Sequence, residues 1–295
     1  MVESRRLALL EGITAGILFG SAALFIRLTG MNVSSLALWR LVIAWGAIAS
    51  AILLLQRNFP TDLLRSNCKY FLVLGILLGV HFLLFISAVR NTTILNATVL
   101  VNTTPLFSMI ISTFLYGIKP SKLALMGLTL SFIGASLLAF GDARKGNTAS
   151  LIGDLQAALA AIVEGFYLNY GRKKRSQLPL LQTMFFIYLF SASTVSVALI
   201  SFTPVLGEIS FEIPRQLDAL WPLLGLGVLS TAMAHTLFFS SLSHLKSFET
   251  ATMALLESLG ATFLGVLFFT EIPPPFFIFG AIIVLAGIFT VVSGR

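Results

Sequence analysis

Cysteine is nearly missing from this chain. Cys68 stands alone among 295 residues, which excludes an intramolecular disulfide and a thiolate metal cluster. Charge is scarce too: Asp, Glu, Lys and Arg make up 11% of the sequence, against about 25% in soluble domains. Long polar connections are also lacking. The longest lies near residues 202–218, too short for an ATPase or a periplasmic binding module, which need on the order of 100 residues. Any work the protein does must draw on a gradient, an exchange, or nothing. The sequence has no H-E-x-x-H, no closely spaced carboxylate pair and no phosphate-cradling Gly loop. An enzyme is therefore not expected, and neither catalytic residues, a metal nor a cofactor is assigned.

Apolar residues are plentiful. They form 57% of the chain, and the mean hydropathy is +0.96. Crossing roughly 30 Å of hydrocarbon takes about 20 apolar residues at 1.5 Å each. Ten runs meet that length, at 7–28, 35–55, 69–89, 94–116, 120–140, 151–170, 178–201, 219–242, 248–269 and 274–293. Without strict alternation they suit helices rather than barrel strands. The expected fold class is all-α, a polytopic membrane protein with the lipid bilayer as its main partner. The first run carries Glu11 and lacks a small-residue cleavage pattern, so it is expected to be a retained helix. The formal charge of +7 does not point to nucleic acid. Arg5, Arg6, Arg65, Lys69, Lys119, Lys122, the Arg172–Arg175 run and Lys246 all fall on one side, whereas the other side receives few cations. This bias predicts both termini in the cytoplasm.

The chain repeats itself. At a constant offset of 153 positions, Pro120 falls on Pro273, Gly127 on Gly280, Gly134 on Gly287 and Gly141 on Gly294, while Leu83–Ala88 matches Thr236–Ser241. Self-similarity of this kind means duplication. Two halves are expected, at 1–144 and 145–295. Five spans per half is an odd number, so the second half would sit upside down relative to the first.

Several helices carry unusual faces. Gly12, Gly16 and Gly20 form a small-residue stripe, repeated by Gly75 with Gly79 and by Ala157, Ala160 and Ala161; such stripes admit close helix contact. Arg40 lies about 9 Å inside its helix end at helical rise. Its long stem can snorkel to the interface, or the head can turn to the interior and pair there. Asn91, Thr98 and Asn102 share one face, followed by Pro105, which predicts a kink near mid-bilayer, with Thr103 and Thr104 beside the freed carbonyls. That kink is open to two readings, a packing bend or a hinge.

Four further residues fall at similar depth in four different spans: His81, Glu164, His235 and Glu257. Ionisable groups within the bilayer are expensive and usually mark a functional path. A single one reads equally well as interhelical glue, but four spread over both halves point to one shared polar cavity.

The early Gly-rich helix, LALWR at Leu36–Arg40, TTPLFSMIISTFLYG at Thr103–Gly117, the pairs Gly127/Gly134 and Gly280/Gly287, and FTEIPPP at Phe269–Pro275 together resemble the ten-helix drug/metabolite transporter superfamily, EamA type. The resemblance implies two inverted five-helix repeats and alternating inward and outward access. It further implies a small-molecule metabolite as partner. One departure shows in the chain: the family's acidic residue after the fourth helix stands as Glu271 in the second half but as Ile118 in the first.

The leading expectation is a secondary transporter exporting or exchanging amino acids or similar small metabolites across a bacterial inner membrane. Glu164 and Glu257, helped by His81 or His235, are candidates to bind a substrate amine or carry a coupling proton. Arg40 and Asn102 would meet a carboxylate or carbonyl. Phe85, Tyr167, Phe166 and Phe238 are candidate apolar walls, though such aromatics also suit plain packing. Two rival classes remain, an intramembrane enzyme on a lipid-linked substrate and a passive channel. Monomer and homodimer both stay open.

Overall fold

The protein is described by a computed structural model covering residues 2–55, 61–92, 94–140, 151–206, 213–214, 217–270 and 277–294. The repeat matches at Gly141 and Pro273, and the departure at Glu271, lie outside these. Every regular element among the described residues is helical, as lipid requires of a backbone that has only itself to bond with. Eight helical stretches are long and apolar enough to cross a membrane. Two further apolar helices are shorter, Lys122–Leu137 and Phe277–Ser293.

In chain order the helices are α1 (Val2–Phe19), α2 (Ser21–Thr29), α3 (Val33–Leu55), α4 (Thr61–Asn91), α5 (Ile94–Val101), α6 (Thr104–Tyr116) and α7 (Lys122–Phe140). There follow α8 (Leu151–Arg172), α9 (Leu180–Leu206), α10 (Leu217–Gly225), a π-helical stretch Leu226–Met233, α11 (Ala234–Ser241), α12 (Ser247–Met253), α13 (Leu256–Phe269) and α14 (Phe277–Ser293). The main core joins α3, α4, α8, α9 and α11 around Phe71, Leu74, Tyr167, Tyr188, Phe238 and Phe239.

The glycine stripes place backbones in contact. A Cβ at Gly16 would lie 2.1 Å from the Met253 carbonyl oxygen, so α1 meets the end of α12 without a side chain between them. On α4, Gly75 and Gly79 face Phe190 and Thr194 of α9, and Ser191 Oγ donates to the Gly75 carbonyl at 3.0 Å. The glycine faces predicted from sequence are thus sites of close helix contact, as either a fixed packing face or a sliding seam requires.

Helices α7 and α14 cross through the repeated glycines themselves. Gly127 packs on Gly287 and Val291, whereas Gly134 packs on Gly280 and Val284. As the α7 number rises its α14 partner falls, so the two helices run antiparallel. Because Gly127 corresponds to Gly280 and Gly134 to Gly287 in the repeat, exchanging the halves maps this contact onto itself.

Helices are interrupted where the chain passes the centre. Between α5 and α6 the break falls at Asn102–Thr103, and Pro105 occupies the first turn of α6. Proline removes the donor that the Val101 carbonyl would otherwise receive. The Thr104 hydroxyl stands 2.8 Å from that carbonyl and supplies the missing contact. The matching break, at Ala254–Leu255 between α12 and α13, occurs without proline, since Ser258 stands where Pro105 does. Between α1 and α2 the chain turns at Gly20.

Candidate functional site

The interruptions converge on the scarce charges. Glu257 sits in the first turn of α13, where the helix N-terminus favours negative charge. Its repeat counterpart, Thr104, begins α6. Thr104 Oγ1 lies 3.1 Å from Glu164 Oε2 of α8. The same oxygen lies 3.8 Å from His81 Nδ1 of α4, which stands 3.0 Å from the Ala160 carbonyl. A carbonyl can only accept, so Nδ1 carries a proton and donates it there. That fixes the ring tautomer, and the imidazole lies parallel to Phe85 with centroids 6.4 Å apart.

Arg40 turns inward rather than snorkelling: only 6% of it is exposed. Its Nε donates to Thr231 Oγ1 at 3.1 Å, and its guanidinium carbon lies 4.3 Å from the Phe82 ring centre. Thr231 belongs to the π-helical stretch, where its own hydroxyl donates to the Leu226 carbonyl at 2.8 Å. Wide turns of this kind recur at functional sites. Tyr188 of α9 pins the same stretch, its hydroxyl donating to the Thr231 carbonyl at 3.0 Å. His235, one turn on in α11, is held edge-on between Phe19 at 4.6 Å and Phe82 at 5.2 Å.

These groups form one neighbourhood. Glu257 lies within electrostatic range of both Glu164 and Arg40, and His235 within range of Arg40 and His81. Asn102 is half-buried in the α5–α6 break, two residues before Thr104. Tyr167, one turn from Glu164, is buried, and its hydroxyl has no hydrogen-bond partner among the described residues. Phe238 packs edge-on to Phe19 at 5.2 Å. Phe166 differs from the expectation of an inner wall. It is 38% exposed, because the turn that buries Tyr167 rotates Phe166 outward. Asn91 is exposed and donates to Gln156 Oε1 at 2.9 Å, while the side chain of Thr98 lies outside the described residues.

Sequence reasoning missed Thr231, Tyr188 and Phe82. Their available signal was weak: LSTAMAH at Leu229–His235 places two hydroxyls next to an intramembrane histidine, and Phe82 follows His81 directly.

A family model described as the EamA-like transporter family matches residues 6–140 and again 151–293. The chain belongs to this family. Membership makes it a multi-pass membrane transporter of the drug/metabolite type, with two EamA repeats and a small-molecule substrate. Among curated proteins, none matches this EamA-like transporter. In fold, 29 chains of solved structures match. One, described as "Crystal structure of protein", aligns over 99% of each chain with a TM-score of 0.82 at 19% identity. At that identity the likeness is one of fold alone.

Proposed function

We propose that this EamA-like chain is a secondary transporter working by alternating access, exporting or exchanging amino acids or similarly small zwitterionic metabolites. The observation that carries the reading is the placement of one buried guanidinium, Arg40, within electrostatic range of Glu257, which in turn lies within range of Glu164, among interrupted helices. A zwitterion presents a carboxylate and an ammonium a few ångströms apart. Arg40 suits the first and Glu257 or Glu164 the second, with Asn102 as an added polar contact and Phe85 and Tyr167 as flanking walls. The same carboxyls can carry a coupling proton.

The self-mapped antiparallel contact of α7 and α14 supports a two-fold relation lying in the membrane plane. Counting α7 and α14 as spans then gives ten, as two inverted five-helix repeats meeting near residues 144–145. In such transporters the substrate sits at the midplane between repeats, against the ends of broken helices. Lys and Arg asymmetry supports cytoplasmic termini, and a bacterial inner membrane is the proposed location.

Reconstituted vesicles loaded with single amino acids test this. Saturable uptake or counterflow of at least one is expected, and Glu257→Gln and Glu164→Gln should each lower it by about tenfold or more, the scale of a charged hydrogen bond at ~1.5–3 kcal/mol. Saturable flux indifferent to both substitutions would remove this cluster from the site.

A further inference from the structure

At the end of the molecule where α1 begins, a second charged group is buried away from the central cluster. Glu249, in the first turn of α12, is 1% exposed. Arg5 of α1 grips it as a fork, Nη2 to Oε1 at 3.0 Å and Nη1 to Oε2 at 3.4 Å. The Lys246 backbone N–H donates to Oε2 at 2.7 Å. Arg5 Nη2 also donates to the Val292 carbonyl near the end of α14, at 3.1 Å. From α8, Arg172 lies near enough to sense the Glu249 charge while its Nε donates to the Leu245 carbonyl at 2.8 Å. The ion pair thus joins α1 to α12, and through Arg5 to α14, at this face.

The internal repeat gives the arrangement a direction. The 153-residue offset extends into the first helix, where Glu11–Gly12 falls on Glu164–Gly165. By that register Arg5 corresponds to Ala158 and Glu249 to Asn96. The register therefore does not repeat this ion pair at its equivalent positions. The pair is forked, with the carboxylate buried and Arg5 partly exposed, and such a fork is specific in geometry.

We infer that Arg5 and Glu249 form a one-sided latch that holds the N-terminal face closed and sets the resting balance of the transport cycle towards opening at the other face. The inference rests on the alternating-access reading above. The Ala254–Leu255 break lies between Glu249 and Glu257, so the latch and the central cluster flank one discontinuous helix, whose bending is the motion that would part Arg5 from Glu249.

Ser241 reports the closure: it is fully buried, and its Cβ lies 3.7 Å from the position a Cβ would take on Gly12 of α1. A Ser241→Cys reporter in a Cys68→Ser background is exposed to a membrane-impermeant methanethiosulfonate from the N-terminal side, without substrate. Arg5→Gln and Glu249→Gln are each expected to speed labelling at least about fivefold, the lower bound of typical coupling between states. The double substitution should add little to either alone, and Arg5→Lys should restore part of the protection. Should Glu249→Gln fail to fold, Arg5→Gln carries the test, since the Arg5 side chain is 29% exposed and tolerates exchange. Equal labelling rates in all variants would overturn the latch, whatever the flux measurements give. Faster labelling in a protein that moves no amino acid would support the latch and remove only the assigned substrate class.

Discussion

The Thr104 hydroxyl lies between two acceptors, the Val101 carbonyl at 2.8 Å and Glu164 Oε2 at 3.1 Å. It has one proton to give. The two acceptors therefore compete for it. The proline break therefore does more than bend the chain, since it makes a backbone carbonyl compete with the carboxyl for one hydroxyl. Thr104→Val keeps the shape and removes the hydroxyl. Flux at low substrate should fall about two- to tenfold, the worth of a hydrogen bond at ~0.5–1.5 kcal/mol, and Thr104→Ser should retain it. A valine variant with normal flux would take this hydroxyl out of the mechanism.

Arg40 is held by a plane and an edge: the Phe82 ring under its guanidinium and Thr231 on Nε. Lysine offers neither a planar face nor a fixed fork. Arg40→Lys should lower flux at low substrate by about tenfold, given ~1–2 kcal/mol for a desolvated cation–π contact. Thr231→Val should raise the half-saturating concentration while leaving maximal flux nearly intact, and Thr231→Ser should behave as the parent. Equal loss of both quantities in Thr231→Val would mean that the threonine supports the helix and not the arginine.

How much of this was readable beforehand differs from residue to residue. Helices followed from apolar runs because lipid permits little else, and charges stood out because they are rare there. His81, Glu164, His235, Glu257 and Arg40 could be singled out on that ground, and they do meet. Their partners were hidden for a physical reason. A threonine or tyrosine costs little in a buried helix and is common there, so Thr231 and Tyr188 carry no mark until the π-helical turn fixes where they point. Phe166 and Phe82 show the same limit for apolar groups. Both neighbour an ionisable residue or its turn, but a helix step of 100° decides which one faces inward, and that rotation is set by packing. The Ala254–Leu255 break had no proline to announce it, only its place within one residue of the register of Asn102 and Thr103.

Close approach through glycine gives a prediction about stability. An alanine methyl at Gly127 would stand 2.6 Å from the Val291 backbone nitrogen, whereas nothing lies within 4 Å of the equivalent position at Gly46. Overpacking of this sort costs ~1–3 kcal/mol, so Gly127→Ala should lower the thermal midpoint of the detergent-solubilised protein by several degrees. Gly46→Ala should leave it unchanged or raise it, because alanine suits a helix better than glycine by ~0.5–1 kcal/mol. Loss of the same size at both positions would point to a general intolerance of alanine and not to the α7–α14 seam.

Cys68 gives the orientation a direct test without any substitution. It is exposed, and it follows Asn67, the one residue inside α4 with non-helical backbone angles. Asn67 Oδ1 accepts from Lys174 Nζ at 2.8 Å, which ties this corner to the basic Arg172–Arg175 segment after α8. The thiol therefore shares a face with the cations whose asymmetry predicts the cytoplasmic side. A membrane-impermeant maleimide should label Cys68 in inverted vesicles and leave it untouched in intact spheroplasts, with full labelling restored when detergent opens both compartments. Because the chain has no second cysteine, the signal has one source. Labelling of intact spheroplasts would reverse the orientation of every span, moving the Arg5–Glu249 clasp to the outer face and turning the proposed export cycle into one resting open to the cytoplasm.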